Sequence, residues 1–168
     1  SAAAAVESAR QAAVQGQKVY GEPRPIYLHM TDKRYNLPDG AKDVGWPPLR
    51  AQSDVDALWN GLATGTIDTV CTDHAPWHLE QKLDSTLNVA NFLPGMANLE
   101  TEMPMLYDEG VLRRRISLNR WVELTSTNAA KLFGMFPQKG TISVGSDADL
   151  VVWNPDRKRT INGDEMAS

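Results

Sequence analysis

Cysteine is nearly absent from this 168-residue sequence, which contains Cys71 alone. A single cysteine rules out an internal disulfide framework and favours a reducing compartment, so we expect a cytoplasmic protein. Long apolar runs are also lacking, and none approaches the roughly 20 residues that a membrane-spanning helix needs. The net charge of −4 comes from 17 basic and 21 acidic residues, and both signs are interspersed along the chain. We therefore expect a protein that binds neither nucleic acid nor membranes.

Histidine is scarce as well, with only His29, His74 and His78 in the chain. His74 and His78 have the i, i+4 spacing that brings two zinc ligands onto one face of a helix. Pro76 lies between them and disfavours a helix there. The sequence therefore favours a solvent-facing His78 and a loop position for His29 over an independent metal site in this chain.

What the sequence does contain is an apolar segment that ends abruptly in polar groups. Residues 67–72 are β-branched and mostly apolar, a pattern typical of a strand buried on both faces. Asp73 and His74 follow directly, before Pro76 stops any regular continuation. In α/β folds the carboxyl ends of parallel strands carry the chemistry. Asp73 is therefore a candidate functional residue, although an aspartate also suits a simple turn after a strand.

Helical and extended segments alternate around this predicted strand. Alanine-rich periodicity predicts a first helix over residues 2–15, which Gly16 is placed to end. A second helix is predicted from a cap at Ser53 to Gly65, and the order strand, helix, strand implies parallel pairing. The remaining predictions are a strand at 18–22, a long loop at 26–48, helices from Asn98 to about Asp108 and from Ser117 and Thr127, and extended pieces at 151–153 and 160–161.

The residues around Asp73 resemble those of a known family. Thr72-Asp73-His74-Ala75-Pro76 is similar to the last metal-site motif of the cyclic amidohydrolases, which include hydantoinases, dihydropyrimidinases, allantoinases and dihydroorotases. Further motifs recur in the same order in hydantoinase-like members, so the resemblance covers essentially the whole chain. These motifs include Pro47-Pro48-Leu49-Arg50, Asn98-Leu99-Glu100-Thr101, Leu106-Tyr107-Asp108-Glu109-Gly110-Val111, Lys131-Leu132-Phe133-Gly134 and Gly145-Ser146-Asp147-Ala148-Asp149-Leu150.

The resemblance implies a metal-dependent hydrolase that opens a cyclic amide ring by metal-activated hydroxide. Asp73 matches the family aspartate that binds one of two zinc ions and acts as general base. His74 is expected to orient the site without binding metal itself. The other family ligands are a His-x-His pair, a carboxylated lysine and two further histidines, and none can be located here. The pattern corresponds to roughly the last third of such an enzyme, so we expect a C-terminal fragment that is inactive alone.

Two departures from the family concern the substrate. Hydantoinases hold the ring amide largely through backbone groups, at a serine before the Pro-Pro pair and at an asparagine in a glycine-rich loop. Trp46 stands at the first position, and Pro94-Gly95-Met96 replaces the second stretch. We expect both segments to contact substrate. Trp46 could narrow the pocket, stack on a flat ring or pack in the core.

The fold class that the resemblance implies is α/β. Residues 1–137 are expected to be the C-terminal part of a (β/α)8 TIM barrel, with its last two strands, and residues 138–168 part of a small β-sandwich domain. The expected partners are a small cyclic amide, the missing N-terminal part of the enzyme and further copies in a homo-oligomer. Without such partners, apolar surface should lie bare along Val19-Tyr20 and residues 67–71. The alternative is a non-catalytic assembly protein of the same fold, like the collapsin response mediators, which lose metal ligands.

Overall fold

The computed structural model describes residues 2–167, which form helices joined by long irregular segments. The α-helices are α1 (Ala2–Val14), α2 (Ile26–His29), α3 (Gln52–Thr64), α4 (Leu79–Lys82), α5 (Glu102–Leu106), α6 (Leu118–Val122) and α7 (Asn128–Leu132). Two π-helical stretches, Tyr107–Leu112 after α5 and Glu123–Thr127 between α6 and α7, and three 3-10 turns, Asp32–Asn36, Gly40–Asp43 and Gly163–Glu165, complete the regular structure. The predicted loop at 26–48 thus contains α2 and two of the turns.

One apolar core joins the two halves of the chain around α3. Trp59 on α3 is 4% exposed, and its indole Nε1 donates a 2.9 Å hydrogen bond to the backbone oxygen of Leu28. Leu62, Leu106 and Leu124 are buried in the same cluster. Each buried leucine contributes about 1.5–3 kcal/mol to the stability of the fold. This cluster therefore fixes the relative positions of the chain segments that carry the candidate functional site.

Helix ends follow the sequence where glycine sets them. Gly16 ends α1 with φ +78°, and Gly65 ends α3 with φ +83°, both in the left-handed region that glycine adopts without strain. The predicted cap at Ser53 is wrong, because α3 begins at Gln52 and its N-cap position falls on Ala51, which forms no side-chain cap. Ser117 does cap α6 by accepting a hydrogen bond from the backbone N–H of Arg120. As predicted, α7 begins directly after Thr127, but Thr127 forms no side-chain cap, because it is itself helical and ends the π-helical stretch that leads from α6 to α7.

No β-strand forms within residues 2–167, so the strands predicted at 18–22 and 67–72 are wrong in this structure. The two segments do run side by side in the parallel sense: the backbone N–H groups of Asp68 and Cys71 donate to the carbonyl oxygens of Gly21 and Pro23, at 2.9 and 3.3 Å. Pro23 has no N–H with which to return a hydrogen bond. These backbone hydrogen bonds therefore run in one direction only, and the alternating pattern of a regular parallel ladder does not form.

The C-terminal tail, which was predicted to be β-rich, is a second correction to the α/β prediction. The extended pieces predicted at 151–153 and 160–161 form no strand, because no described segment offers their backbone a complementary edge. Val144 and Val152 are almost fully exposed. Trp153 attaches the tail by packing on Tyr107 and Trp121, with ring centroids 5.1 and 5.0 Å away. The domain boundary near residue 137 stays a prediction.

Apolar surface is bare only along part of the expected stretch. Val19 and Tyr20 are 40% and 59% exposed and border a groove of about 610 Å³ beside α1, as expected. Ile67 is 4% exposed, because it packs closely beneath Gly21 and Gly61. The described part of the chain includes no helix with the length and apolar character that crossing a membrane requires.

Candidate functional site

Asp73 lies on a sharp turn directly after residues 67–72. Its φ of +45° is in the left-handed region, which aspartate tolerates better than most residues. The side chain is 63% exposed, and Oδ2 accepts a 2.5 Å hydrogen bond from Nη1 of Arg24. Oδ1 receives no hydrogen bond from the described residues. One carboxylate oxygen is therefore fixed, and the other is open to solvent.

Arg24 joins Asp73 to the segment that contains Trp46. Its side chain is 11% exposed, and Nη2 donates to the hydroxyl of Tyr27 and to the backbone oxygen of Trp46. The guanidinium also lies over the Tyr27 ring, 4.7 Å from the centroid. Burial raises the pKa of Tyr27, and its hydroxyl donates to the backbone oxygen of Pro47 at 2.5 Å. One largely buried cation thus connects the carboxylate with the Trp46-Pro47 backbone.

His74 connects the Asp73 turn to the residues that precede α5. Its Nδ1 accepts hydrogen bonds from the backbone N–H groups of Asn98 and Leu99, both at 3.1 Å. Two donors at Nδ1 require a lone pair there, so a neutral ring carries its proton on Nε2. His74 is therefore a fixed support of the Asp73 turn.

The segment Pro94-Gly95-Met96 lies directly against the residues that follow His74. The backbone N–H of Ala75 donates to the oxygen of Met96 at 3.1 Å, and the indole of Trp77 donates to the oxygen of Pro94 at 3.0 Å. Gly95 has φ +99°, and a Cβ atom there would lie 2.6 Å from the Cβ of Ala75. Only glycine fits so close an approach.

Lys82 connects the Pro94-Gly95-Met96 segment to the residues that precede Trp46. Its ammonium group is buried and donates to the backbone oxygens of Val44, at 3.1 Å, and of Gly95. The backbone N–H of Gly95 also donates to Val44, at 3.3 Å. Burial lowers the pKa of Lys82. The two segments predicted to contact substrate are therefore bound to each other and, through Arg24 and Ala75, to Asp73.

Trp46 is not a core residue. Its side chain is 59% exposed and contacts Phe92, with ring centroids 5.5 Å apart and an interplanar angle of 45°. The exposed face of the indole is free to contact another planar group.

Two carboxyl groups, those of Glu22 and Glu102, act together with Asp73 on the Cys71 thiol. Glu22 accepts a 2.6 Å hydrogen bond from the Thr69 hydroxyl. Burial, followed by the repulsion of Glu22, raises the pKa of Glu102 to about 7. Burial and a hydrogen bond to Glu22 raise the pKa of the Cys71 thiol to about 12, so Cys71 is no nucleophile at neutral pH.

A complete metal site is not present in the described part of the chain, where no three His, Cys, Asp or Glu side chains come together to hold an ion. His78 is exposed and precedes α4, as predicted. His29 ends α2 rather than lying in a loop, and its ring packs edge-on against Trp59 at 6.2 Å. Among the described residues, neither histidine forms a group of three possible ligands with Asp73.

The sequence matches the model of the amidohydrolase family over residues 13–167. The chain belongs to this family. It is 42% identical to a D-hydantoinase of Ralstonia pickettii over 164 residues, which cover 96% of this chain and 36% of that protein. It is 40% identical to a D-phenylhydantoinase of Escherichia coli O1:K1, over 90% of this chain and 33% of that protein. The chain thus spans about a third of the length of the curated relatives it matches.

Solved structures agree with this assignment. A D-hydantoinase crystal structure superposes with a TM-score of 0.91 at 38% identity, over 97% of this chain and 36% of the other. A dihydropyrimidinase from Brevibacillus agri gives a TM-score of 0.81 at 45% identity, over 86% of this chain and 32% of the other. The amidohydrolase fold class that the sequence predicts is therefore supported, although the described residues form no strand.

Two residues of the site were missed by sequence reasoning. Arg24 stands between Pro23 and Pro25, at the end of a predicted strand. This position of a cation was the one sequence signal that could have pointed to Arg24 as a site residue. Lys82 gave no signal, because a lysine in a polar stretch is ordinarily a surface residue.

Proposed function

We propose that the intact protein to which this chain belongs opens a cyclic amide ring, such as a hydantoin or a dihydropyrimidine, with Asp73 as its catalytic base. The observation that carries this proposal is the exposed Asp73 carboxylate, with one oxygen held by Arg24 and the other open, inside the Thr-Asp-His motif. The names of the hydantoinase relatives support the same reaction class.

In this proposal the chain's own residues move one proton. Asp73 accepts it from the attacking water at the open oxygen Oδ1 and delivers it to the ring nitrogen as the amide bond breaks. Proton transfer by a positioned carboxylate contributes about 10²–10⁴-fold to a rate. His74 and Arg24 keep the carboxylate at a constant orientation during the transfer.

Two zinc ions belong to the proposal, and Asp73 is the ligand that this chain offers them. When bound, such metal ions would lower the pKa of water towards ~7 and polarise the ring carbonyl. A carboxylate is among the ligand types that zinc accepts, so Asp73 suits one ligand position. The described residues do not complete the ligand set, so the remaining ligands would come from the missing N-terminal part of the enzyme.

The substrate side of the proposal rests on Trp46 and Pro94-Gly95-Met96. These two segments are linked to each other through Lys82 and to the Asp73 turn through Arg24 and Ala75. Backbone groups of both segments would hold the ring amide. The exposed indole of Trp46 would stack on the ring or on its substituent.

The fold of the intact enzyme is part of the same proposal. Residues 1–137 would be the C-terminal part of a (β/α)8 barrel, and residues 138–168 part of a β-sandwich, in a cytoplasmic homo-oligomer. The exposed Val144 and Val152 of the tail and the open groove at Val19 and Tyr20 support a partner segment that covers them.

The alternative is a non-catalytic assembly protein, and one observation favours it: Asp73 already has a cationic partner in Arg24. Zinc analysis of the intact protein, together with assays on hydantoin and dihydropyrimidine, distinguishes the two. We expect stoichiometric zinc and ring opening. An intact protein without bound zinc and without turnover would support the assembly role.

The 168-residue chain alone is expected to be inactive, because a single carboxylate holds zinc weakly. Purified chain incubated with zinc and a hydantoin should show no turnover. Stoichiometric zinc with multiple turnovers would refute the incomplete site and would require a centre built from Asp73, His74 and His78.

A further inference from the structure

Arg24 contacts both halves of the candidate site, the carboxylate and the substrate-binding backbone. Nη1 holds Oδ2 of Asp73, whereas Nη2 holds the hydroxyl of Tyr27 and the carbonyl of Trp46. The planar guanidinium fork fixes the angle between these two directions of hydrogen bonding. A movement of the Trp46-Pro47 backbone therefore changes the orientation of the carboxylate, and the reverse also holds.

The burial of Arg24 makes this connection stiff. Its side chain is 11% exposed, whereas that of Asp73 is 63% exposed. A largely buried cation needs an ionic partner and hydrogen-bond acceptors, and Asp73 is the anion that pairs with Arg24. The exposed carboxylate would sample several rotamers if nothing held Oδ2. Arg24 therefore keeps Oδ1 directed outward.

We propose that Arg24 is a positioning residue that couples Asp73 to substrate recognition by the Trp46-Pro47 segment. This inference rests on the proposed function, since it assigns Asp73 and Trp46 their roles in ring opening. It goes beyond that function in making one guanidinium control both turnover and the preference among ring substituents. Tyr27 extends the connection, because its hydroxyl reaches the carbonyl of Pro47.

The test uses the intact enzyme and three substitutions in this network. Arg24→Gln removes the fork, and loss of such an orienting partner should lower kcat about 10–100-fold. Arg24→Lys keeps the charge but has a single nitrogen, so it should restore part of kcat without restoring the wild-type ranking of substrates. Tyr27→Phe leaves the bond between Arg24 and Asp73 in place, so it should raise KM with kcat within about threefold of wild type.

Arg10→Gln is the matched control, because Arg10 pairs with Glu7 on the exposed face of α1, at 2.7 Å. It should leave kcat, KM and substrate ranking unchanged. Melting temperature and zinc content are measured for every variant, so that a loss of fold or of metal is separated from a loss of positioning.

Three outcomes overturn the inference. If Arg24→Gln keeps kcat and substrate ranking, or if every parameter falls only in proportion to melting temperature, Arg24 is a structural residue and the proposed function stands. If the wild-type enzyme opens no cyclic amide, the proposed function and this inference fail together. A fall in kcat with altered ranking and unchanged zinc content supports the inference.

Discussion

Gly95→Ala tests how tightly the Pro94-Gly95-Met96 segment is held against the Asp73 turn. The new Cβ would lie 2.6 Å from the Cβ of Ala75, on a residue with φ +99°. Backbone strain of this kind costs about 1–3 kcal/mol, and overpacking costs about 1–3 kcal/mol more. We expect Gly95→Ala to lower the free energy of unfolding by about 2–6 kcal/mol, and to raise KM because the segment moves away from Ala75.

Gly65→Ala is the matched control, since Gly65 has φ +83° and no atom lies within 4 Å of the position that an added methyl group would take. It carries the strain without the clash, so it should cost only about 1–3 kcal/mol and leave KM unchanged. Urea unfolding and steady-state kinetics of the intact enzyme measure both quantities. Equal losses of stability with equal KM values in the two variants would refute the close contact between Gly95 and Ala75.

The remaining predictions concern Trp46 and His29. Trp46→Ser should change the ranking of ring substituents more than it changes stability, because the indole is 59% exposed; a uniform loss of activity that follows a lowered melting temperature would contradict this. Burial, and then the positive charges of Arg115 and Arg113, lower the pKa of His29 to about 4 from an ordinary 6.5. The unfolded chain therefore binds a proton first, and up to about 3 kcal/mol of stability is lost as pH falls from 6.5 to 4. His29→Phe should remove this loss of stability at low pH. If the pH dependence of unfolding is unchanged in His29→Phe, His29 is not the group that causes the loss.

Local signals were enough to predict several elements of the fold. Gly16 and Gly65 end their helices, and Ser117 begins one, because backbone conformation and capping depend on neighbouring residues alone. Whether residues 67–72 form a strand could not be predicted in the same way. Its apolar pattern is real, and Ile67 is buried, but a strand also needs a partner that returns hydrogen bonds, and Pro23 cannot.

The residues of the candidate site could be proposed from the sequence, but the contacts between them could not. Asp73, Trp46 and Gly95 could be named from motifs, because each stands at a recognisable position in the sequence. Their links run through Arg24 and Lys82, which contact residues up to 49 positions away. Contacts over such distances depend on packing, which periodicity and turn chemistry do not specify. The role of each linking residue therefore came only from the structure.

The most direct test of the central claim is the turnover of Asp73→Asn in the intact enzyme at saturating zinc. The substitution would remove the proposed base and weaken the proposed metal binding, and it also leaves Arg24 without its anionic partner. The stability cost of that last effect should be on the order of 1 kcal/mol, because Asp73 is 63% exposed and solvent screens the pair. We predict a folded protein whose kcat for a hydantoin is at least about 100-fold below that of wild type. Near-normal turnover by Asp73→Asn would contradict the account.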